Sequence, residues 1–354
     1  MSNGMKIVFM IGTLDIGGGQ IMLKNLIKYI YKNNTIYVVV FGSKVNNSIE
    51  SFIEEKCFVK YIDNGNLISF IKVSRFVKQI KPDIIHGHLT GNKFAALWSF
   101  FYKKKIVITM HTIPQKAFSK RIEGLVRYLI SKKRCYCVAV SKMNQLLSID
   151  YFNSKTVFYI NNGIDINHYY QRAHEKFTFI NVARQDENKN QILIIRAFKK
   201  IIDNVTNECN LLLVGDGPNH INLVKTVEEL NLQKHVMIVG SVEDSANSLA
   251  AADVYIQSSY REGLPLSVLE AMAAHLPIIS TNVGGMKDLV FDNGILLNDF
   301  EDKTMFEAMK FMIDHKRASK EMGKKSFEYV QQYSDVEMSK NYISLFEKVI
   351  NNEE

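Results

Sequence analysis

Val254-Tyr255-Ile256-Gln257-Ser258-Ser259-Tyr260-Arg261-Glu262-Gly263-Leu264-Pro265-Leu266-Ser267-Val268-Leu269-Glu270-Ala271-Met272-Ala273 is the stretch from which the fold is read. An apolar run ends at Gln257, a polar segment and a Gly-x-Pro turn follow, and helical spacing begins near Pro265, a residue suited to the first helical position. A strand that gives way through a short polar loop to a helix is the repeating unit of doubly wound α/β architecture. The same alternation extends outward in both directions. Near-continuous apolar runs at 177–182, 211–214, 236–239 and 278–280 read as further strands, as do runs at 7–11, 35–41, 58–62, 83–86, 106–110 and 136–140. Runs of this kind suit parallel strands buried on both faces.

The pattern restarts after Asn161-Asn162-Gly163-Ile164-Asp165, so two Rossmann-like domains in series are expected, facing across a cleft. Residues 1–168 form the first, 169–333 the second, and 334–354 a helix long enough to return to the first domain. Ligands bind outside the carboxyl ends of strands in open α/β sheets. The loops to weigh are therefore 12–20, 111–115, 184–189, 215–218, 240–244 and 258–265.

Composition agrees with a folded enzyme-sized chain: 354 residues, 47% hydrophobic, 23% charged, with 5 Pro and 19 Gly. No run approaches the roughly 18 apolar residues of a spanning helix, and no basic, cleavable leader is expected at the N-terminus. The cysteines at 57, 135, 137 and 209 have neither metal-ligand nor disulfide-framework spacing, which points to a reducing cytoplasm, with Cys135 and Cys137 as packing residues. Charge is polarised. Residues 1–172 hold 25 Lys+Arg against 9 Asp+Glu, and 173–354 hold 19 against 27. One half is built to meet an anionic partner, unless the lysine content only reflects the organism.

Among the loops, Gly12-Thr13-Leu14-Asp15-Ile16-Gly17-Gly18-Gly19-Gln20 leads into a helix whose N-terminus, with bare backbone at Gly17 and Gly18, can approach phosphate. It matches neither the dinucleotide fingerprint nor the P-loop, and a plain flexible turn explains it equally well. The 258–265 loop is more pointed. Glu262 sits before the turn and Glu270 one helical turn inside, while the backbone of Gly263, Leu264 and Leu266 is placed to meet an anion. Two carboxylates beside an anion site are better suited to sugar and ribose hydroxyls than to phosphate. Arg184 and Lys189 follow a strand end and can neutralise a departing diphosphate without a metal; taken alone they are also explained as solvated loop charges. Metal: none is expected, as no Asp-x-Asp signature occurs. His86 and His88, two apart with no third ligand, read as satisfied structural or acceptor-side histidines.

These residues resemble the retaining glycosyltransferases of family 4, which have the GT-B fold. Glu262 to Glu270 is the family's Glu-x7-Glu motif, and further matches lie at Gly17-Gly18-Gly19, His111, Val140-Ser141, Asn161-Asn162-Gly163-Ile164-Asp165, Arg184 with Lys189, Gly215-Asp216-Gly217-Pro218 and Asn282-Val283-Gly284-Gly285. The resemblance implies that Glu262 binds the donor sugar, Glu270 the ribose, Arg184 and Lys189 the diphosphate, Gly17 and Gly18 the phosphates, and Gly240 to Val242 the base. It also implies that His111 contacts the donor sugar and helps stabilise the reacting centre. Two departures stand out: Gln20 where relatives carry an acid one residue on, and His275 where glycine is common.

A basic stretch at 116–134 spaces Phe118, Ile122, Leu125, Val126, Leu129 and Ile130 helically among Lys116, Lys120, Arg121, Arg127, Lys132, Lys133 and Arg134. Either it lies on an anionic membrane with help from Trp98–Tyr102 aromatics, or its apolar stripe packs on the sheet with its charges in water. Nucleic acid is not expected, since no motif for it accompanies the charge. The expected activity is metal-independent, retaining transfer of a hexose or N-acetylhexosamine from a UDP-sugar donor to a saccharide, lipid-linked acceptor for surface polysaccharide, on the cytoplasmic face of the plasma membrane. A sugar-nucleotide epimerase or a non-catalytic adaptor of the same fold are the alternatives.

Overall fold

The structure is a computed structural model and describes residues 4–62, 67–101, 105–112, 114–154 and 157–351. Contacts divide the chain into two compact units, one of residues 1–163 with 335–354 and one of residues 164–334.

The first unit holds strands β1 (Lys6–Ile11), β2 (Thr35–Val40), β3 (Phe58–Tyr61), β4 (Ile84–His88), β5 (Lys105–Met110), β6 (Cys135–Ala139) and β7 (Val157–Tyr159) in one sheet of order β3-β2-β1-β4-β5-β6-β7. Every pairing is parallel; Ile7 of β1 lies beside Ile36 on one side and Ile84 on the other. The central strands are apolar without alternation because helices cover both faces, and β1 is buried from Ile7 to Ile11. The second unit repeats the plan with β8 (Phe177–Val182), β9 (Cys209–Val214), β10 (Val236–Val239), β11 (Val254–Gln257), β12 (Ile278–Thr281) and β13 (Gly294–Leu297), ordered β10-β9-β8-β11-β12-β13 and again parallel. Strand order reverses direction beside β1 and β4 in one sheet and beside β8 and β11 in the other. In open α/β sheets such switch points are where loops diverge and ligands bind.

Sequence periodicity anticipates eleven of these strands and misses β7 and β13. Both are short, lie at a sheet edge and pair on one side only, and β13 opens on glycine, so neither carries a strong apolar run. The boundary between units falls at 163/164 and 334/335 rather than at the 168/169 and 333/334 read from the sequence. Its cause is visible in the strap that opens the second unit, where His168 bonds Asp244 (2.8 Å), the Arg172 amide bonds the Ala250 carbonyl (2.9 Å) and His174 bonds Asp253 (2.7 Å).

The last helix, Asp335–Asn351, belongs to the first unit, as its amphipathic pattern suggested. It packs on helix Gly18–Ile30 and buries Tyr342, Leu345, Phe346 and Val349. Tyr342 and Phe346 lie against the His86 ring at 5.2 and 5.5 Å, and the Tyr342 hydroxyl meets Thr109 Oγ1 at 3.0 Å.

The basic stretch is not one amphipathic helix. A short helix, Pro114–Ala117, is followed by Ser119 and then by helix Lys120–Ser131. Phe118, Val126, Leu129 and Ile130 are buried in the core of the first unit, with Ile122 and Leu125 packed against it. The apolar stripe is thus consumed by the sheet, while Lys120, Arg127, Lys132, Lys133 and Arg134 remain exposed. Trp98, read as an interfacial aromatic, is instead fully buried against Phe70. Tyr102, Lys103 and Lys104 lie outside the described residues, as do the side chains of Phe100, Phe101, Lys116 and Arg121. Cys135 and Cys137 are buried packing residues.

Candidate active site

In the second unit the loop after β8 carries Arg184 and Lys189. Asp186 caps a single 3-10 turn, Glu187–Lys189, by accepting the Lys189 amide at 3.2 Å, and Asn190 then takes the left-handed conformation that starts helix Gln191–Asn204. The loop after β11 is fastened to it. Ser258 Oγ donates to the carbonyls of Lys189 (2.7 Å) and Asn190 (3.0 Å), and the Tyr260 amide donates to Asn188 O at 2.8 Å. This brings Lys189 Nζ to 2.7 Å from Glu262 Oε1, both side chains largely buried. Gln257, the last residue of β11, donates Nε2 to the same carboxylate oxygen and to Ser259 Oγ, while its Oε1 accepts from the Tyr255 hydroxyl at 3.0 Å. An ammonium and an amide therefore converge on one oxygen of Glu262, which fixes the carboxylate's direction.

Arg184 stands apart, 71% exposed and only 3.9 Å from Asp186, so its guanidinium is available to an incoming anion. Beneath it, Gly215 adopts φ 133°, and an added Cβ there would meet the Ala183 carbonyl at 2.1 Å. Only glycine lets the 215–218 turn pass this close under the Arg184 loop. Gly284 does the same for Glu262: φ is 55° and a Cβ would strike the Glu262 carbonyl at 1.9 Å, while the neighbouring Gly285 amide donates to Gly263 O at 2.9 Å.

Pro265 opens helix Leu266–Ala273 with no side-chain cap, and the Leu266 and Ser267 amides precede the first intrahelical bond, made by Val268 to the Pro265 carbonyl. Leu264 and Leu266 bury their side chains, so only their backbone faces a ligand. One turn on, Glu270 is buried and accepts from Ser245 Oγ at 2.7 Å and from the Tyr169 hydroxyl. Burial raises its pKa, and the two hydroxyls oppose that rise. The loop after β10 holds Gly240, whose Cα faces open space, and half-buried Val242.

In the first unit Gly17 precedes helix Gly18–Ile30 as an extended residue, and Gly18 is exposed. Gln20, the departure noted in the sequence, folds back to bond Thr13 O at 3.2 Å and so braces this loop. His111 follows β5 and touches His88, Nε2 to Nδ1 3.2 Å. β4 runs through His88, so His86 and His88 lie within the strand and both are fully buried. They are not fully satisfied: His86 Nε2 bonds Thr109 Oγ1 at 2.8 Å, but His86 Nδ1 and His88 Nε2 have no partner among the described residues. Burial lowers all three imidazoles, His111 to about 4. The described residues contain no cluster of three or more metal-ligating side chains. The sequence singled out Arg184, Lys189, Glu262, Glu270 and His111 but not Gln257, Tyr255, Ser245, Tyr169 or the contact of His88 with His111. Gln257 had one signal, a polar residue at a buried strand end.

The comparisons with known proteins agree with this architecture. Residues 16–168 match the model described as Glycosyltransferase Family 4, and residues 165–329 match Glycosyl transferases group 1. An uncharacterized glycosyltransferase of Methanocaldococcus jannaschii is 28% identical over 59% of this chain and 48% of its own. This chain thus spans about half the length of that relative. A Campylobacter jejuni N-acetylgalactosamine-N,N'-diacetylbacillosaminyl-diphospho-undecaprenol 4-alpha-N-acetylgalactosaminyltransferase is 21% identical over 95% of this chain and 98% of its own. The crystal structure of Anabaena Alr3699/HepE in complex with UDP-glucose superposes with a TM-score of 0.86 at 20% identity, over 97% of this chain and 100% of the other. The fold is GT-B, two parallel-sheet Rossmann-like units. The chain carries a Glycosyltransferase Family 4 domain followed by a Glycosyl transferases group 1 domain.

Two outcomes follow from the geometry. Gly284→Ala should leave the second unit folded but push the Glu262 loop away from Lys189, weakening nucleotide binding at least about tenfold, a shift of roughly 1.4 kcal/mol that calorimetric titration with UDP would read; unchanged affinity would contradict the close approach. The buried histidines predict an acid weakness. Their folded pKa values lie below the unfolded value near 6.5, so the unfolded chain binds more protons and stability falls as pH drops below about 6.5. Denaturant unfolding at pH 7.5 and pH 5 should show that loss, reduced by close to one proton in His86→Gln.

Proposed function

We propose that this enzyme is a retaining, metal-independent glycosyltransferase that moves a hexose or N-acetylhexosamine from a nucleoside diphosphate, UDP above all, to a saccharide hydroxyl. The observation that carries the reading is the Lys189–Glu262 pair, held by Gln257 at the end of β11, directly before the uncapped start of helix Leu266–Ala273. An ammonium, an exposed guanidinium and a helix N-terminus make a fixed site for a diphosphate. The UDP-glucose in the Anabaena structure supports a UDP-sugar as donor, and the N-acetylgalactosaminyltransferase activity in the Campylobacter relative's name supports an N-acetylhexosamine as the sugar.

In this mechanism Glu270 receives the ribose hydroxyls, and backbone at Gly240 and Val242 meets the base. Gly17 and Gly18 approach the phosphates. Arg184, Lys189 and the amides of Leu266 and Ser267 take up the charge that grows on the diphosphate as the bond from the anomeric carbon to its oxygen breaks. That charge is the largest change in the reaction, and fixed cations stabilise it without the reorganisation that water would need. Glu262, aimed by Lys189 and Gln257, accepts from donor-sugar hydroxyls. His111, neutral at physiological pH, contacts the same sugar. The acceptor oxygen bonds to the face the diphosphate leaves and passes its proton to a diphosphate oxygen, so configuration is retained and no enzymatic base is needed.

A lipid-linked saccharide acceptor fits both the Campylobacter relative and the charge of the first unit, and places the enzyme on the cytoplasmic face of the plasma membrane. With the apolar stripe of helix Lys120–Ser131 used by the core, association is electrostatic, carried by the exposed cations beside Tyr128.

Incubation with a panel of sugar nucleotides should release nucleoside diphosphate with one donor, more with membrane extract than without. Epimerised donor, or no release from any, would overturn the reading. Lys189→Ala and Glu262→Ala should each lower kcat by about 10²–10³-fold while circular dichroism is unchanged, and EDTA should leave the rate unaltered. Sedimentation with vesicles should show binding to anionic phospholipid, lost as salt rises past the screening range, and none to neutral vesicles.

A further inference from the structure

Three neutral imidazoles lie in a row inside the first unit, and only the outermost has been given a task. His86 and His88 stack at a centroid distance of 4.1 Å, and the Phe9 ring lies against both, at 5.5 and 5.8 Å. The row ends at half-buried His111. Asn92 Nδ2 holds the carbonyl of Thr109, two residues before it, at 2.8 Å. A rigid, dry bed of this kind cannot reorient a misplaced ring with solvent, so which nitrogen carries each proton is decided by the contacts present.

The contact between His88 Nδ1 and His111 Nε2, 3.2 Å, requires one donor and one acceptor. His88 Nε2 has no partner among the described residues. Were the His88 proton on Nε2, a buried N–H would be left orphaned, the rarer and costlier outcome; on Nδ1 it makes the bond and leaves only a bare lone pair inside. The same reasoning applies at His86, where Nε2 faces Thr109 Oγ1 and Nδ1 is without a partner. Each ring thus bonds through its one usable N–H, and the order of the row is set from the inside outward.

We propose that His88 is a positioning residue for glycosyl transfer: its Nδ1–H donates to His111 Nε2, which holds His111 as the Nδ1–H tautomer and leaves that N–H as the donor His111 offers to substrate. The proposal rests on the reading that His111 contacts the donor sugar. A neutral N–H suits an oxygen of the donor sugar, because it supplies a hydrogen bond without placing a full positive charge beside the cationic reacting centre. In the other tautomer the same ring would present a lone pair to that oxygen and repel it.

Two-bond ¹H–¹⁵N spectra of the histidine-labelled enzyme, with His111 assigned by its loss in His111→Ala, read the tautomer directly. The proposal requires protonated Nδ1 and bare Nε2 in the wild type; protonated Nε2 overturns it, whatever the variants do. His88→Asn, which keeps an amide N–H near the Nδ1 position, should retain kcat within about threefold, whereas His88→Phe should lower it about 10- to 100-fold with little change in the donor KM. A His88→Phe enzyme at the wild-type rate, with His111→Ala inactive, overturns the role of His88 alone. His111→Ala at the wild-type rate removes the reading of His111 and this proposal with it. Should His88→Phe fail to fold, the wild-type tautomer and the His88→Asn rate decide.

Discussion

A carboxylate brought out of water must keep its counter-charge, and the second unit is arranged around that requirement at Glu262. The cost of burying an ionised group is several kcal/mol unless pairing and hydrogen bonding offset it. Here the partner is Lys189, and the Gln257 amide completes the set. Each depends on backbone beneath it: Ser258 tethers the Lys189 turn, Gly284 clears room for the Glu262 carbonyl, and parallel pairing of β8 with β11 sets the two loops side by side. The fold thus delivers a cation and a carboxylate already aligned. Because the pair is ordered before any ligand arrives, the cost of ordering it is met during folding.

The first unit solves a different problem with uncharged groups. His86 packs among Phe9, Tyr342 and Phe346, His88 lies against Phe9, and burial lowers the pKa of both and of His111. The C-terminal helix takes part, since Tyr342 reaches Thr109 and Thr109 reaches His86. A helix residue 233 positions along the chain from Thr109 thereby helps fix the His86 ring on β4. Positive charge on this unit is kept outside, on the face of helix Lys120–Ser131 that the core does not use.

Much of this was legible in the residues themselves. Strands buried on both faces announce themselves as unbroken apolar runs, so β1, β8 and the rest of the central sheets were readable, and the Glu262–Glu270 spacing pointed to the loop where Glu262 pairs with Lys189. What escaped was set by tertiary contact. β7 and β13 pair on one side and lack the run. The stripe of Phe118, Val126, Leu129 and Ile130 has the same periodicity whether it meets lipid or its own sheet, and only the packed structure distinguishes them. Ser245 and Tyr169 reach Glu270 from distant points of the chain, so no spacing could pair them. His88 read as a structural or acceptor-side histidine because its partner, His111, lies 23 residues away, just after the next strand.

The central claim is that Arg184, Lys189 and the start of helix Leu266–Ala273 grip a diphosphate. A crystal structure of the enzyme soaked with UDP tests it most directly. The account predicts phosphate oxygens within hydrogen-bonding distance of the Lys189 ammonium, the Arg184 guanidinium and the Leu266 or Ser267 amide, with the ribose on Glu270. UDP bound elsewhere, or bound here with its phosphates turned away from Lys189 and Arg184, would contradict it.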